Sequence, residues 1–432
     1  MPLGDRGLAA FLGCSTVMAL AEPCIRFGVS WYLLKVTGSA ALFAALFGLS
    51  ILADSFSRPL LAPLADHFDR LRVFKVSTVL AALVSVTLTV CVAWLPFDAW
   101  LLGALLVSLG LVAGLREPTA TALLADLARP EQIAKAQAFQ TSANAIITVG
   151  GPALGGALVA VLSPVAALTA AGALEVIGLA GLVFLQRPAA PAAPDATAAT
   201  WAAYREHWWQ RIVDGLMCLW RTRVERNVVL AAMLINASVI SFVTVCVPVW
   251  VSRELQGTAS LMALLEGSFG AGMLLGSALL LGWLNRRVGR QRATQAGLVL
   301  GSCAFAALAW ANWTPLLVVL TALLSAGMCV ASINTGTVRA LATPEHYRSR
   351  MAGAASFVIG LLLPVTIPLA GQVLQRLPTH TVLALCAALF ATGSMLLIAN
   401  ATSRSLLREA ECDLVGRYST MYPAAFPERR AK

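Results

Sequence analysis

The chain has 432 residues, 59% of them hydrophobic and only 12% charged, with a mean hydropathy of +0.79. Soluble globular domains carry about a quarter charged residues, so these proportions exclude a water-soluble enzyme and a disordered chain and point to lipid surroundings. The net charge of +10 reads as Lys and Arg gathered in loops on the cytoplasmic side of a membrane, and no nucleic-acid partner is expected.

A membrane-spanning helix takes about 20 mostly apolar residues. Hydrophobic runs bounded by charge, Pro and Gly give twelve spans: 8–34, 40–62, 73–95, 99–122, 137–161, 164–185, 227–251, 258–283, 294–311, 314–338, 353–375 and 379–400. The alternating strands of an outer-membrane barrel are absent. The expected fold is therefore an all-α polytopic membrane protein of twelve transmembrane helices. An N-terminal bundle covers 1–185, a linker 186–226, a C-terminal bundle 227–401 and a tail 402–432. The first span lacks a basic leader and a small-residue cleavage site, so no cleavable signal peptide is expected.

The informative residues are those that should not lie in lipid, where each charge costs at least about 3 kcal/mol. Glu22 and Arg26 in the first span are four apart on one face, beside Pro23, which should kink the helix. Asp54 and Arg58 repeat the arrangement in the second span, with Asp54 roughly 18 Å along the axis from Asp66. Arg116 and Glu117 in the fourth span and Arg339 in the tenth lie nearer the cytoplasmic ends, where snorkelling is cheap. Glu175 in the sixth span and Glu266 in the eighth have no cation on their own helix. Any of Glu22, Asp54, Glu175 and Glu266 could carry a proton, with Arg26, Arg58 and Arg116 as charge partners; a static ion pair is the competing role. Glu22 is the leading candidate.

The fifth span carries Gly151-Pro152-Ala153-Leu154-Gly155-Gly156, a surface for close helix approach, and the eighth offers a matching small surface at Gly272, Gly276 and Ser277. Asn144, Asn236 and Asn334 could line a cavity or serve as interhelical glue. In the linker, Trp201, Tyr204, Trp208, Ile212, Leu216 and Trp220 recur at three- and four-residue steps with Arg residues between them. That pattern predicts an amphipathic helix in the headgroup region.

Counting spans puts both termini on one side. The loops of that side hold Arg70, Arg72, Lys75, Arg129, Lys135, Arg286, Arg287, Arg348 and Arg350 besides the linker arginines. The other side has Lys35, Arg253 and Arg376, which places both termini in the cytoplasm. The nine cysteines are scattered without CxxC spacing, and the four histidines form no cluster. No Walker-type loop, zinc motif or nucleophile–base grouping is present. The chain is therefore not expected to be an enzyme, to need a cofactor or to use ATP.

The two halves echo each other at an offset close to half the chain: 62–70 with 282–290, Pro130-Glu131 with Pro344-Glu345, and Gly151-Pro152 with Ile367-Pro368. Two six-helix pseudo-repeats mark a transporter that rocks one half against the other. The loop after the second span resembles the signature of the major facilitator superfamily, G-x-L-a-D-r-x-G-r-k. Leu64, Ala65, Asp66 and Arg70 match it, while Ala62, His67, Asp69 and Leu71 depart from it. The Asp at position 69, the stretch Leu124-Ala125-Asp126-Leu127 and the amphipathic linker resemble the efflux branch that includes the enterobactin exporter and the macrolide efflux proteins. Gly151-Pro152 through Gly156 is similar to the motif of exporters that exchange substrate for protons.

The resemblance implies a cytoplasmic gate at Asp66, Arg70 and Arg72, and an acidic proton site in the first helix, where Glu22 stands. It implies export of a small organic molecule, a siderophore or similar secreted metabolite, by proton antiport across the bacterial inner membrane, by a protein acting as a monomer. Macrolide or multidrug efflux, an importer or lipid flippase on the same fold, and a non-transporting sensor remain alternatives.

Overall fold

The structure, a computed structural model, describes residues 3–67, 69–127, scattered positions between 136 and 151, 154–183, 213–255, 259–344 and 347–426. Within those stretches, the side chains of 3–6, 58–67, 183, 259, 348–350 and 411, and several between 118 and 126, lie outside the description. Among the described residues every regular element is a helix, and ten helices are long and apolar enough to cross a membrane. The expected fifth span falls largely outside the described residues. The ninth is a 19-residue helix, Arg290–Leu308, that is not among the ten. Arg290, Gln291, Arg292, Thr294 and Gln295 crowd its start. The chain forms two compact units: Met1–Ala196 with Val243–Gly270 and Ile367–Thr379, and Thr197–Phe242 with Ala271–Thr366 and His380–Lys432.

In the first unit, α1 (Leu3–Ala19) and α2 (Ala21–Thr37) divide what the sequence reads as one span. Pro23 has no N–H for the Ala19 carbonyl, and its ring crowds that carbonyl. The helix therefore breaks one turn before the proline, where the Leu20 N–H donates to Val17 at 3.2 Å. Gly38, at φ 61°, closes α2 by donating its N–H to the Leu34 carbonyl, a left-handed cap that glycine adopts without a Cβ penalty.

The next helix, α3 (Ala40–His67), packs along α5 (Ala99–Leu127). Gly103, Gly110 and Gly114 face Leu46, Ser50 and Asp54–Ser57, and the Ser50 hydroxyl donates to the Leu106 carbonyl at 2.8 Å. Between them in sequence, α4 (Arg70–Trp94) starts at Asp69, whose carboxylate accepts the Arg72 N–H at 2.9 Å. Asp69, a departure from the loop signature, thus serves as an N-cap. Finally, α6 (Pro164–Val183) brings Leu182 into a core with Phe11, Phe74 and Leu124.

The helix α7 (Arg223–Ser241) begins in the second unit and runs through a π-helical turn, Phe242–Cys246, into Val247–Arg253, which belongs to the first unit, as do residues 259–270 and 367–376 of the helices described next. The turn lies just before Pro248, whose missing N–H frees the Thr244 carbonyl. A second π-helical turn, Gly276–Leu280, joins α8 (Ala259–Leu275) to Leu281–Val288. The ninth span, α9 (Arg290–Leu308), lies against α10 (Thr314–Ala342), with Gly297 and Gly327 backbone to backbone. The remaining spans are α11 (Arg348–Gly360) continued by α12 (Leu363–Arg376), and α13 (Thr379–Ala399).

Beyond α13 the tail folds back in three short helices, Ala401–Leu406, Glu411–Leu414 and Arg417–Met421. Leu406, Leu407, Leu414, Tyr418 and Phe426 are buried there with Val224, Val338, Ala342 and Met351. Of the expected linker helix, residues 213–221 are described and helical. Leu219 is buried with Val229, Ala354 and Ala355, while Trp220 is exposed.

Candidate functional site

Among the described residues three carboxylates are buried, and each meets an arginine from a different helix. Glu175 on α6 accepts both of its hydrogen bonds from Nη1 of Arg116 on α5, at 2.8 Å each. Glu225, in the first turn of α7, accepts from Nε and Nη2 of Arg339 on α10 at 2.8 and 2.6 Å. Its other oxygen accepts from the Tyr418 hydroxyl at 3.2 Å. Glu266 on α8 lies 2.5 Å from Nη2 of Arg26 on α2, yet neither of its oxygens accepts a well-directed hydrogen bond from any described group. The first two carboxylates each accept at least two directed bonds, whereas the third has a single close cation contact and no further donor.

This pairing differs from the sequence expectation. Arg26 turns not to Glu22 on its own helix but to Glu266, because a buried carboxylate without a cation is far costlier than an exposed one. Glu22 is exposed beside the break before α2. Arg116, expected to snorkel, holds Glu175. Asp54 is half-buried on α3, and the side chain of Arg58 lies outside the described residues, as does that of Asp66. Of the expected gate, Arg70 is half-buried in the first turn of α4 and Arg72 is exposed.

In the fifth-span motif, Gly151 lies against the Pro23 ring, and Gly155 against the Pro23 carbonyl and the Phe27 ring. Gly156 is buried, and Pro152 lies outside the described residues. The small surface on α8 has a different partner: Gly272 and Gly276 abut Ala322, Ser325 and Ala326 of α10. Asn144 lies outside the described residues, and Asn236 is half-buried. Asn334, 3% exposed, exchanges hydrogen bonds with Asn285, its amide donating at 3.0 Å and its carbonyl accepting at 2.9 Å.

Sequence reasoning missed two groups. One is Glu225 with Tyr418, since a tail tyrosine gives no local sign of reaching α7. The Leu406-Leu407, Leu414, Tyr418 spacing could have marked the tail as a docked amphipathic segment. Burial and the nearby Glu225 carboxylate push the Tyr418 phenol well above its ordinary range, so it remains a neutral donor. The other is a polar cluster at the α2–α3 turn in the first unit. There Arg253 donates to the Gly38 carbonyl, and the Gln375 amide donates to the Ser39 hydroxyl at 2.8 Å. The Thr379 N–H donates to Glu254 at 2.9 Å.

The sequence matches the profile of the Major Facilitator Superfamily over residues 11–365. A comparison with curated protein sequences finds no match. Among solved structures, the fold is similar to a bacterial homologue of the iron transporter ferroportin in an inward-facing state. The TM-score is 0.70 and the identity 18%, over 92% of this chain and 99% of that one. It is also similar to a bacterial homologue of the human lysosomal transporter Spinster, with a TM-score of 0.65 and 13% identity over 100% of this chain and 99% of that one. A nucleoside transporter, NupG, aligns at a TM-score of 0.65 and 13% identity over 94% and 100% of the two chains. At these identities the likeness is one of fold. The profile match, which spans most of the chain, and the all-helical membrane architecture make this chain a member of the Major Facilitator Superfamily, with a transporter's fold.

Proposed function

We propose that the protein is a secondary active transporter that exports a small organic molecule across the bacterial inner membrane in exchange for protons, with Glu266 as the proton-carrying group and Arg26 as its counter-charge. One observation carries this reading: of the three carboxylates buried among the described residues, Glu266 alone is held by one close cation contact with no further donor. A group held by a single cation loses its hold when the arginine moves. A bare buried carboxylate costs several kcal/mol, so it takes up a proton instead. The better-bonded Glu175 and Glu225 are structural in this scheme.

Two six-helix halves, both termini in the cytoplasm, the basic loop set and the gate at Asp66, Arg70 and Arg72 complete the reading. Export as the direction rests on the Gly151–Gly156 motif and the efflux-branch resemblance, and so does a siderophore-like secreted metabolite as the substrate class. The protein works as a monomer, with the lipid bilayer and its substrate as its partners.

The test is untargeted mass spectrometry of medium and cell extract, with and without the gene, in iron-poor and iron-rich growth. A compound that disappears from the medium and accumulates inside the deletion strain is the expected result. No difference in either compartment would overturn native-metabolite export.

A further inference from the structure

A cavity of about 530 Å³ opens in the second unit, lined by Arg223, Val224, Asn227, Asn400, Thr402 and Tyr422. Its position in the chain fixes its depth. Arg223 begins the apolar span that runs to Arg253, and Asn400 directly follows the one ending at Ala399. The cavity therefore sits where hydrocarbon gives way to headgroups. An exposed Trp220 stands immediately before α7, with the Arg226 guanidinium 5.5 Å from its ring centre. Exposed tryptophans next to arginines are characteristic of that boundary.

The chemistry of the lining is one-sided. Arg223 makes no ion pair with a described residue, and no carboxylate is among the described residues lining the cavity. The nearest acid in sequence, Glu225, is already committed to Arg339 and Tyr418. Asn400 spends its side-chain oxygen on the Ser403 N–H at 3.0 Å, which leaves its amide hydrogens as donors. One fixed cation with neutral amide and hydroxyl donors suits a phosphate, which takes charge-assisted hydrogen bonds from several directions. The loop set to which Arg223 belongs is the cytoplasmic one by its basic bias, and anionic lipids enrich that leaflet.

We propose that this cavity binds the phosphate of an anionic phospholipid headgroup. Tyr422 belongs to the folded-back tail, one turn past the buried Tyr418. The site is complete only when the tail is docked, so a bound lipid also fastens the tail.

The full-length protein in nanodiscs of phosphatidylcholine with added phosphatidylglycerol, released into native mass spectrometry, tests this. One phosphatidylglycerol should be retained. Arg223→Gln should lower that retention about tenfold, the effect of roughly one charge-assisted bond, while Arg376→Gln, in a loop of the opposite set, leaves it unchanged. Asn227→Ala gives a milder loss and serves if Arg223→Gln melts early in phosphatidylcholine alone. Equal retention by the wild type and a folded Arg223→Gln or Asn227→Ala variant would overturn the site. Protection from thermal melting by inorganic phosphate as strong as that by phosphatidylglycerol would assign the cavity to a free anion and overturn the lipid assignment.

Discussion

Arg26 on α2 and Glu266 on α8 meet at 2.5 Å with neither carboxylate oxygen accepting a directed hydrogen bond. The two sides of this pair should respond differently to mutation. Glu266→Gln leaves a partly exposed arginine and should melt close to wild type. It should still exchange substrate in proteoliposomes, yet lose transport driven by a pH gradient. Arg26→Gln strands a buried charge and should destabilise by about 3–5 kcal/mol. Normal pH-driven transport by Glu266→Gln would remove Glu266 from the coupling and return attention to Glu22, Asp54 and Glu175.

The contact of Gly155 with α2 predicts a local steric effect. A Cβ at Gly155 would stand 2.9 Å from the Pro23 carbonyl oxygen and 3.2 Å from the Phe27 ring. Gly155→Ala should therefore cost about 1–3 kcal/mol by overpacking and slow transport. Gly150→Ala, where nothing lies within 4 Å, is the matched control and should be neutral or slightly stabilising. Equal melting curves for the two variants would contradict the packing described.

Tyr418 ties the tail to α7 and α10. Tyr418→Ala should cost about 3–5 kcal/mol as a large buried ring is lost. Tyr418→Phe removes only the bond to Glu225, for about 1 kcal/mol. Thermal melts of the purified protein separate the two. The raised phenol favours the neutral form in the folded state. Its contribution is thus fully present below the ordinary tyrosine range near pH ~10 and lost as pH rises through the folded value. Tail docking followed by proteolysis should be insensitive to pH from neutral up to that range and weaken above it.

Asn334 separates a structural amide from a substrate-binding one. Asn334→Ala leaves Asn285 without its reciprocal partner and should cost about 1–3 kcal/mol. The KM for the transported compound should not move. A raised KM with an unchanged melting temperature would mean that the amide serves substrate instead.

Much of the fold is legible in the sequence because lipid imposes long apolar runs with internally satisfied backbones. The signals fail where they depend on packing. Spacing along one helix puts Arg26 beside Glu22, but only the assembled helices can bring Glu266 to it. Pro23 announces a disruption, and the backbone places it at Leu20. The ninth span, read at 294–311 from its apolar run, starts a turn earlier, at Arg290, because polar residues there prolong the helix, and its Gly297 contact with Gly327 is invisible until both helices are built. Tyr418 lies in a stretch that reads as a charged tail. Asp69, by contrast, was readable: an acidic residue directly before a long apolar helix is an N-cap signal.

The π-helical turns have a consequence for length changes. Each widens a turn to hold a residue that an α-helix of the same rise would omit, so α8 contains an insertion the membrane helix has already absorbed. Deleting Ser277 would return Gly276–Leu280 to α-helical winding without shortening the span. The rest of the helix would keep its phase, with Asn285 still facing Asn334, and the variant should melt close to wild type. Deleting Leu284, in the α-helical stretch beyond the turn, removes no such absorbed residue: it would swing Asn285 by about 100° and should cost as much stability as Asn334→Ala. A one-residue gap at the π-helical turn is thus a change the helix takes without rotation, and a natural place for relatives of this chain to differ in length.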